Sequence, residues 1–109
     1  MHWYTYVAYF FSGAFFVNAI PHFTNGVSGH RFPTPFASPP GKGLSSPTVN
    51  VLWGTLNLVI GYLLVSRVGE FHLHHKCGVP TIAAGGLLMA ILLARAFGRA
   101  DRGQQGGGG

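Results

Sequence analysis

Three imidazoles and one thiol fall within six residues in the segment Phe71-His72-Leu73-His74-His75-Lys76-Cys77. Nitrogen and sulfur donors at this density suit zinc or copper. His72, His74, His75 and Cys77 are therefore candidate metal ligands. The spacing matches no standard zinc pattern, however, and Lys76 sets an ammonium among the donors. His72 and His74 would share a face only in extended chain. The segment reads foremost as an interfacial histidine tract, with metal binding as an alternative. A pair of axial haem ligands is not expected, since no histidine falls in an uncharged stretch, and no cofactor is implied.

A second pattern is polar and helical. Asn50, Gly54, Asn57 and Gly61 follow one another at spacings of four, three and four, which places them within about 60° of arc on one helix face. An asparagine inside a lipid bilayer cannot leave its amide unsatisfied, so this face must meet another helix, water or a ligand. Ala83, Gly86, Ala90 and Ala94 form a stripe of small residues further on, the kind of surface that brings transmembrane backbones together. The two faces are expected to pack on each other. A polar path lined by Asn18, Asn50 and Asn57 is the alternative.

Other chemistries find no residues. The chain has two carboxylates, Glu70 and Asp101, so acid–base pairs and proton relays have no candidates. Pro40-Gly41-Lys42-Gly43 lacks the glycine spacing and the Ser or Thr after Lys that a nucleotide loop requires. The net charge of +5 does not suggest nucleic acid, because the Lys and Arg residues lie at the ends of apolar stretches and not along one face.

The elements that must position these residues are hydrophobic helices. Only 8% of the chain is charged while 48% is hydrophobic, far from the roughly 25% charged of soluble domains. Residues 3–21, 44–66 and 77–94 contain no Asp, Glu, Lys, Arg or His, and each stretch approaches the roughly 17 to 25 residues that span a bilayer. The fold class expected is an all-α membrane protein whose domain, residues 1–98, holds three transmembrane helices at about 3–20, 47–66 and 80–98. Val17-Asn18-Ala19 imitates a cleavage site, but no Lys or Arg precedes it, and the first helix is expected to be retained.

Pro21 is expected to end the first helix. Ser46-Pro47 supplies a serine cap and a first-turn proline for the second, and Pro80 starts the third. Between the first two, the loop 21–46 is rich in proline and glycine. Its Phe23, Phe32, Phe36 and Leu44 suit an ordered segment better than a solvated linker. His22, Asn25, His30 and Arg31 are its candidate site. Residues 99–109 read as a disordered polar tail. Arg31, Lys42, Arg95, Arg99 and Arg102 outnumber Arg67 and Lys76, which predicts the N-terminus outside and the loop 21–46 and C-terminus in the cytoplasm.

The segment carrying Pro21-His22-Phe23, Gly29-His30-Arg31-Phe32-Pro33-Thr34-Pro35-Phe36, Pro40-Gly41 and Asn50-Val51-Leu52-Trp53-Gly54 resembles small three-helix bacterial inner-membrane proteins. That resemblance covers about half the chain. It implies a bacterial inner-membrane setting and carries no activity. The function expected is non-enzymatic: a membrane protein acting through helix association, as a homo-oligomer or as an accessory subunit. Its partners would be the bilayer, itself or other membrane subunits. A small oligomeric transporter or channel lined by Asn18, Asn50 and Asn57 is one alternative, and a metal-binding membrane protein using the His-rich segment is the second.

Overall fold

The computed structural model describes residues 3–40, 43–68 and 78–105, most of them helical. Helix α1 spans Trp3–Val27, α2 spans Pro47–Leu63 and α3 spans Gly78–Gln105. A two-residue strand pair, β1 (Phe32–Pro33) and β2 (Leu44–Ser45), lies between α1 and α2. Two segments, Pro47–Val68 and Gly78–Gly98, are long and apolar enough to cross a membrane.

Pro21 does not end α1. The helix passes through it to Val27, so the expected boundary at residue 20 is corrected, and His22 and Asn25 belong to a helix. A proline leaves one carbonyl a turn earlier without its backbone partner, a loss that neighbouring elements can offset. Here the turn after Pro21 is held from the side. The Asn25 amide donates to the Pro21 carbonyl at 2.7 Å, and His22 bonds to Asn50 of α2.

The real stop is Gly29. Its φ of 76° lies in the left-handed region, where a missing Cβ removes the steric penalty. The Gly29 amide bonds to the Gly26 carbonyl at 3.0 Å and the His30 amide to the Asn25 carbonyl at 2.8 Å. That pair of bonds satisfies the last carbonyls of α1.

Helix α2 begins one residue after Ser46, whose side chain accepts from the Val49 amide at 3.2 Å, with Pro47 in the first turn. Its last turn widens into π-helix over Leu64–Val68. Helix α3 continues past Gly98 to Gln105, so residues 99–105 are not the disordered segment expected. Arg, Ala and Gln form helix well, and Gly103 costs only about 1 kcal/mol. The loop is also structured: β1 and β2 pair antiparallel, Phe32 opposite Ser45 and Pro33 opposite Leu44.

Helix α1 is the middle element. It packs against both α2 and α3, which touch each other little. The expectation that the small faces of α2 and α3 meet is therefore corrected: the face of α2 meets α1, and of the α3 stripe only Gly86 does. A Cβ on Gly54 would stand 2.8 Å from the Phe23 amide nitrogen, and one on Gly61 would stand 2.8 Å from the Phe16 ring. On the other side, Gly85 lies against the Phe10 carbonyl and Gly13 against the Ile82 carbonyl. Gly85 and Gly86 together let the α3 backbone approach α1, and they rotate the stripe of Ala83, Ala90 and Ala94 outward, where all three are exposed.

The distribution of polarity is inverted relative to a soluble protein. Thr5, Ser12, His22, Asn50 and Asn57 are buried, while the buried apolar residues are Ala8, Tyr9, Ala14, Ala19 and Ala37. Leu52, Leu56, Val59 and Leu63 on α2, and Leu87, Leu88, Ile91 and Leu92 on α3, are exposed.

Candidate functional site

The buried polar residues form a ladder between α1 and α2. At mid-helix the Asn18 amide donates to the Asn57 side-chain oxygen at 2.9 Å. Asn57 in turn donates to the Trp53 carbonyl at 2.7 Å, one turn back on its own helix. One rung further along, His22 Nδ1 and Asn50 Oδ1 are 3.0 Å apart.

The orientation of Asn50 follows from its surroundings. Its Nδ2 lies 3.0 Å from the Phe32 carbonyl, 3.2 Å from that of Ser45 and 3.1 Å from that of Ser46. Three acceptors can face only an NH₂ group, so Oδ1 must face His22 and must accept. His22 Nδ1 is then the donor, and the neutral ring carries its proton there, with the lone pair on Nε2. Asn50 thereby ties together α1, both strands of the loop and the cap of its own helix.

Aromatic rings enclose this joint. Phe32, Trp53 and Phe97 stand edge-on to His22 at centroid distances of 5.4, 6.4 and 6.2 Å. Phe32 also meets Phe97 at 4.5 Å, and Phe36 meets Trp53 at 5.1 Å. Edge-on contacts of this kind contribute about 0.5–1.5 kcal/mol each beyond area burial. They bring the loop and the C-terminal half of α3 to the same end of the bundle. The Trp53 Nε1 is buried there without a hydrogen-bond partner among the described residues. Beside the joint, the Thr34 and Ser45 hydroxyls bond to each other across the strand pair, and Thr34 accepts from the Phe36 amide at 3.2 Å.

The residues singled out in the sequence are thus distributed unevenly. Asn18, Asn50 and Asn57 are drawn into one network, and Gly54 and Gly61 line the contact that permits it. Of the four loop candidates, His22 joins the network, whereas the Asn25 side chain donates to the Pro21 carbonyl of its own helix, and His30 and Arg31 are exposed. They make no common site. His72, His74, His75 and Cys77 lie outside the described residues. Among those described, no three His, Cys, Asp or Glu side chains gather as a metal site would require.

Sequence reading missed the partners of His22. A histidine four residues after Asn18 shares its helix face, which was the available signal, but it is visible only once Pro21 is allowed inside the helix. Phe97 and Thr34 gave no signal of their own. Chemically, the arrangement fixes two helices and a loop through neutral amide and imidazole hydrogen bonds. No protein-family model, curated protein or solved structure matches the chain.

Proposed function

We propose that this chain is a three-span integral membrane protein that works by helix association, as a homo-oligomer or as an accessory subunit of a membrane complex. The observation that carries the reading is the inverted polarity. Two fully buried asparagines sit inside, while the exposed surfaces of α2 and α3 are rows of Leu, Ile and Val. In water such a surface would aggregate, whereas in hydrocarbon it costs nothing.

Helix α1 supplies the third span in this reading. At 25 residues it reaches about 37 Å, enough for a hydrocarbon core of about 30 Å. Its lower apolarity fits its central position, since Thr5, Ser12 and His22 are buried within the bundle and Asn18 bonds to Asn57 of α2. The asparagine amides bond within the chain, which supports helix packing over a polar path. Gly54 and Gly61 of α2 and Gly85 and Gly86 of α3 are used internally, so association would employ the outer faces of α2 and α3, where Ala83, Ala90 and Ala94 are exposed. The setting proposed is a bacterial inner membrane, N-terminus outside and C-terminus cytoplasmic.

Two measurements test this. Alkaline carbonate extraction of membranes should leave the protein in the pellet, and release into the supernatant would overturn the membrane reading. Light scattering in mild detergent should give a mass above that of one 11.6 kDa chain after subtraction of the micelle. A bare monomer with no associated subunit would overturn the association reading.

A further inference from the structure

The third uncharged stretch ends at Ala94, and the first charge after it is Arg95. In the three-span reading, on which this inference rests, Arg95 marks the level where acyl chains give way to headgroups. An open furrow of about 510 Å³ lies at that level, lined by Ile91, Ala94, Arg95 and Gly98. Its lining is mostly apolar, with one cation.

Because α3 continues to Gln105, Arg99 and Arg102 occupy helical positions. At 100° per residue, positions 95, 99 and 102 fall within about 60° of one another, and Asp101 falls about 120° from Arg95. The helix therefore carries its basic positions on one face immediately beyond the furrow, and its acidic position elsewhere. Phe97, which packs on Phe32, holds the opposite side of this turn inward and so directs the furrow outward.

We propose that this furrow is a binding site for an anionic phospholipid. The headgroup phosphate would pair with the Arg95 guanidinium, which matches phosphate geometry by two parallel N–H donors. One acyl chain would run inward over Gly98, Ala94 and Ile91, where small side chains leave room. A second copy of the chain is the competing occupant, because Ala90, Ala94 and Gly98 repeat at a spacing of four. Charge opposes it: a symmetric parallel pair across this face would bring the two Arg95 guanidiniums toward each other, and like charges disfavour that contact.

The test is native mass spectrometry of the detergent-solubilised protein titrated with dioleoyl phosphatidylglycerol, dioleoyl phosphatidylcholine or inorganic phosphate. Phosphatidylglycerol should be retained preferentially. Arg95→Gln should weaken it about fivefold, the equivalent of about 1 kcal/mol per basic side chain at a membrane surface. Gly98→Leu should weaken it as well by filling the furrow; a Cβ at Gly98 meets nothing within 4 Å, so the fold tolerates the change. Arg31→Gln should leave it unchanged.

Equal retention of both lipids, or full retention by Gly98→Leu, would overturn the proposal. Displacement of the lipid by inorganic phosphate at equal concentration would reduce the site to a simple anion contact and overturn it too. A dimer signal lost in Gly98→Leu, with no lipid preference, would assign the furrow to a second copy. Failure of the membrane reading would appear separately, as release of the protein by carbonate.

Discussion

Asn50 is the residue whose replacement most sharply tests the joint between α1, the loop and α2. Asn50→Leu keeps the side-chain volume and removes the amide. The His22 Nδ1–H and the Phe32 and Ser45 carbonyls would each lose a partner, while the Ser46 carbonyl keeps its bond from the Asn50 backbone amide. Orphaned buried groups cost about 1–3 kcal/mol each, but hydrogen bonds between membrane helices average only about 0.6 kcal/mol by double-mutant cycle, so the expected loss is about 2–3 kcal/mol. Asn50→Asp should cost more at neutral pH, because a carboxylate would turn an oxygen without a proton toward three carbonyls.

The assay is reversible unfolding in mixed micelles of dodecyl maltoside and increasing dodecyl sulfate, followed by Trp53 fluorescence in a Trp3→Phe background. His22→Phe preserves a ring and removes the donor. The double variant with Asn50→Leu should be more stable than the sum of the single losses implies, by about 1 kcal/mol, since both halves of one interaction are then absent. Strict additivity, or an Asn50→Leu variant within about 0.5 kcal/mol of the parent, would refute the pairing of these two side chains.

The packing of α1 and α3 gives a paired prediction. Gly85→Ala drives a Cβ into the Phe10 backbone and should destabilise by about 1–3 kcal/mol as an overpacked contact, whereas Gly98→Ala meets open space and should stabilise by up to about 1 kcal/mol through helix propensity. The same micelle titration reads both, and equal effects would contradict the close approach. In the loop, Thr34→Val removes the hydroxyl that bonds Ser45 and the Phe36 amide. It should cost about 1 kcal/mol and speed hydrogen exchange at Phe36 and Ala37, and unchanged exchange would mean that the strand pair does not depend on Thr34. For topology, Ser38→Cys in a Cys77→Ser background should resist a membrane-impermeant thiol reagent until the membrane is breached, while Val68→Cys should react from outside; the reverse pattern would invert the orientation.

What the sequence disclosed and what it withheld follow from the range of each signal. The Ser46–Pro47 start of α2 and the shared face of Asn50, Gly54, Asn57 and Gly61 depend on contacts within one helix, and both could be read directly. Which helix that face meets is a question of three dimensions. Periodicity shows that two faces are small without showing that a third helix lies between them. The clue was spread along α1, where Ser12 and Gly26 approach α2 while Gly13 approaches α3; small residues on two sides of one helix mark a central position. Pro21 misled because the local penalty of a proline is real, and only the Asn25 side-chain bond within α1 and the bond of His22 to Asn50 across to α2 reveal how the helix survives it.

The loop and the bundle are one cooperative structure by this geometry. Four prolines between Phe32 and Gly43 limit the freedom the unfolded loop has to lose, yet stiffness alone does not seat it. Seating comes from Asn50, whose NH₂ group can be satisfied only when the Phe32 and Ser45 carbonyls arrive, and from Phe97, whose ring meets Phe32 only when α3 is in place. At this end of the bundle the contacts of α1 with α2 and α3 thus lack part of their hydrogen bonding or aromatic cover until the loop closes. A polar residue in the wall of a hydrophobic bundle would ordinarily weaken it. Here it couples helix packing at this end of the bundle to the seating of the loop, which accounts for the most polar rung lying beside the loop and not at mid-helix.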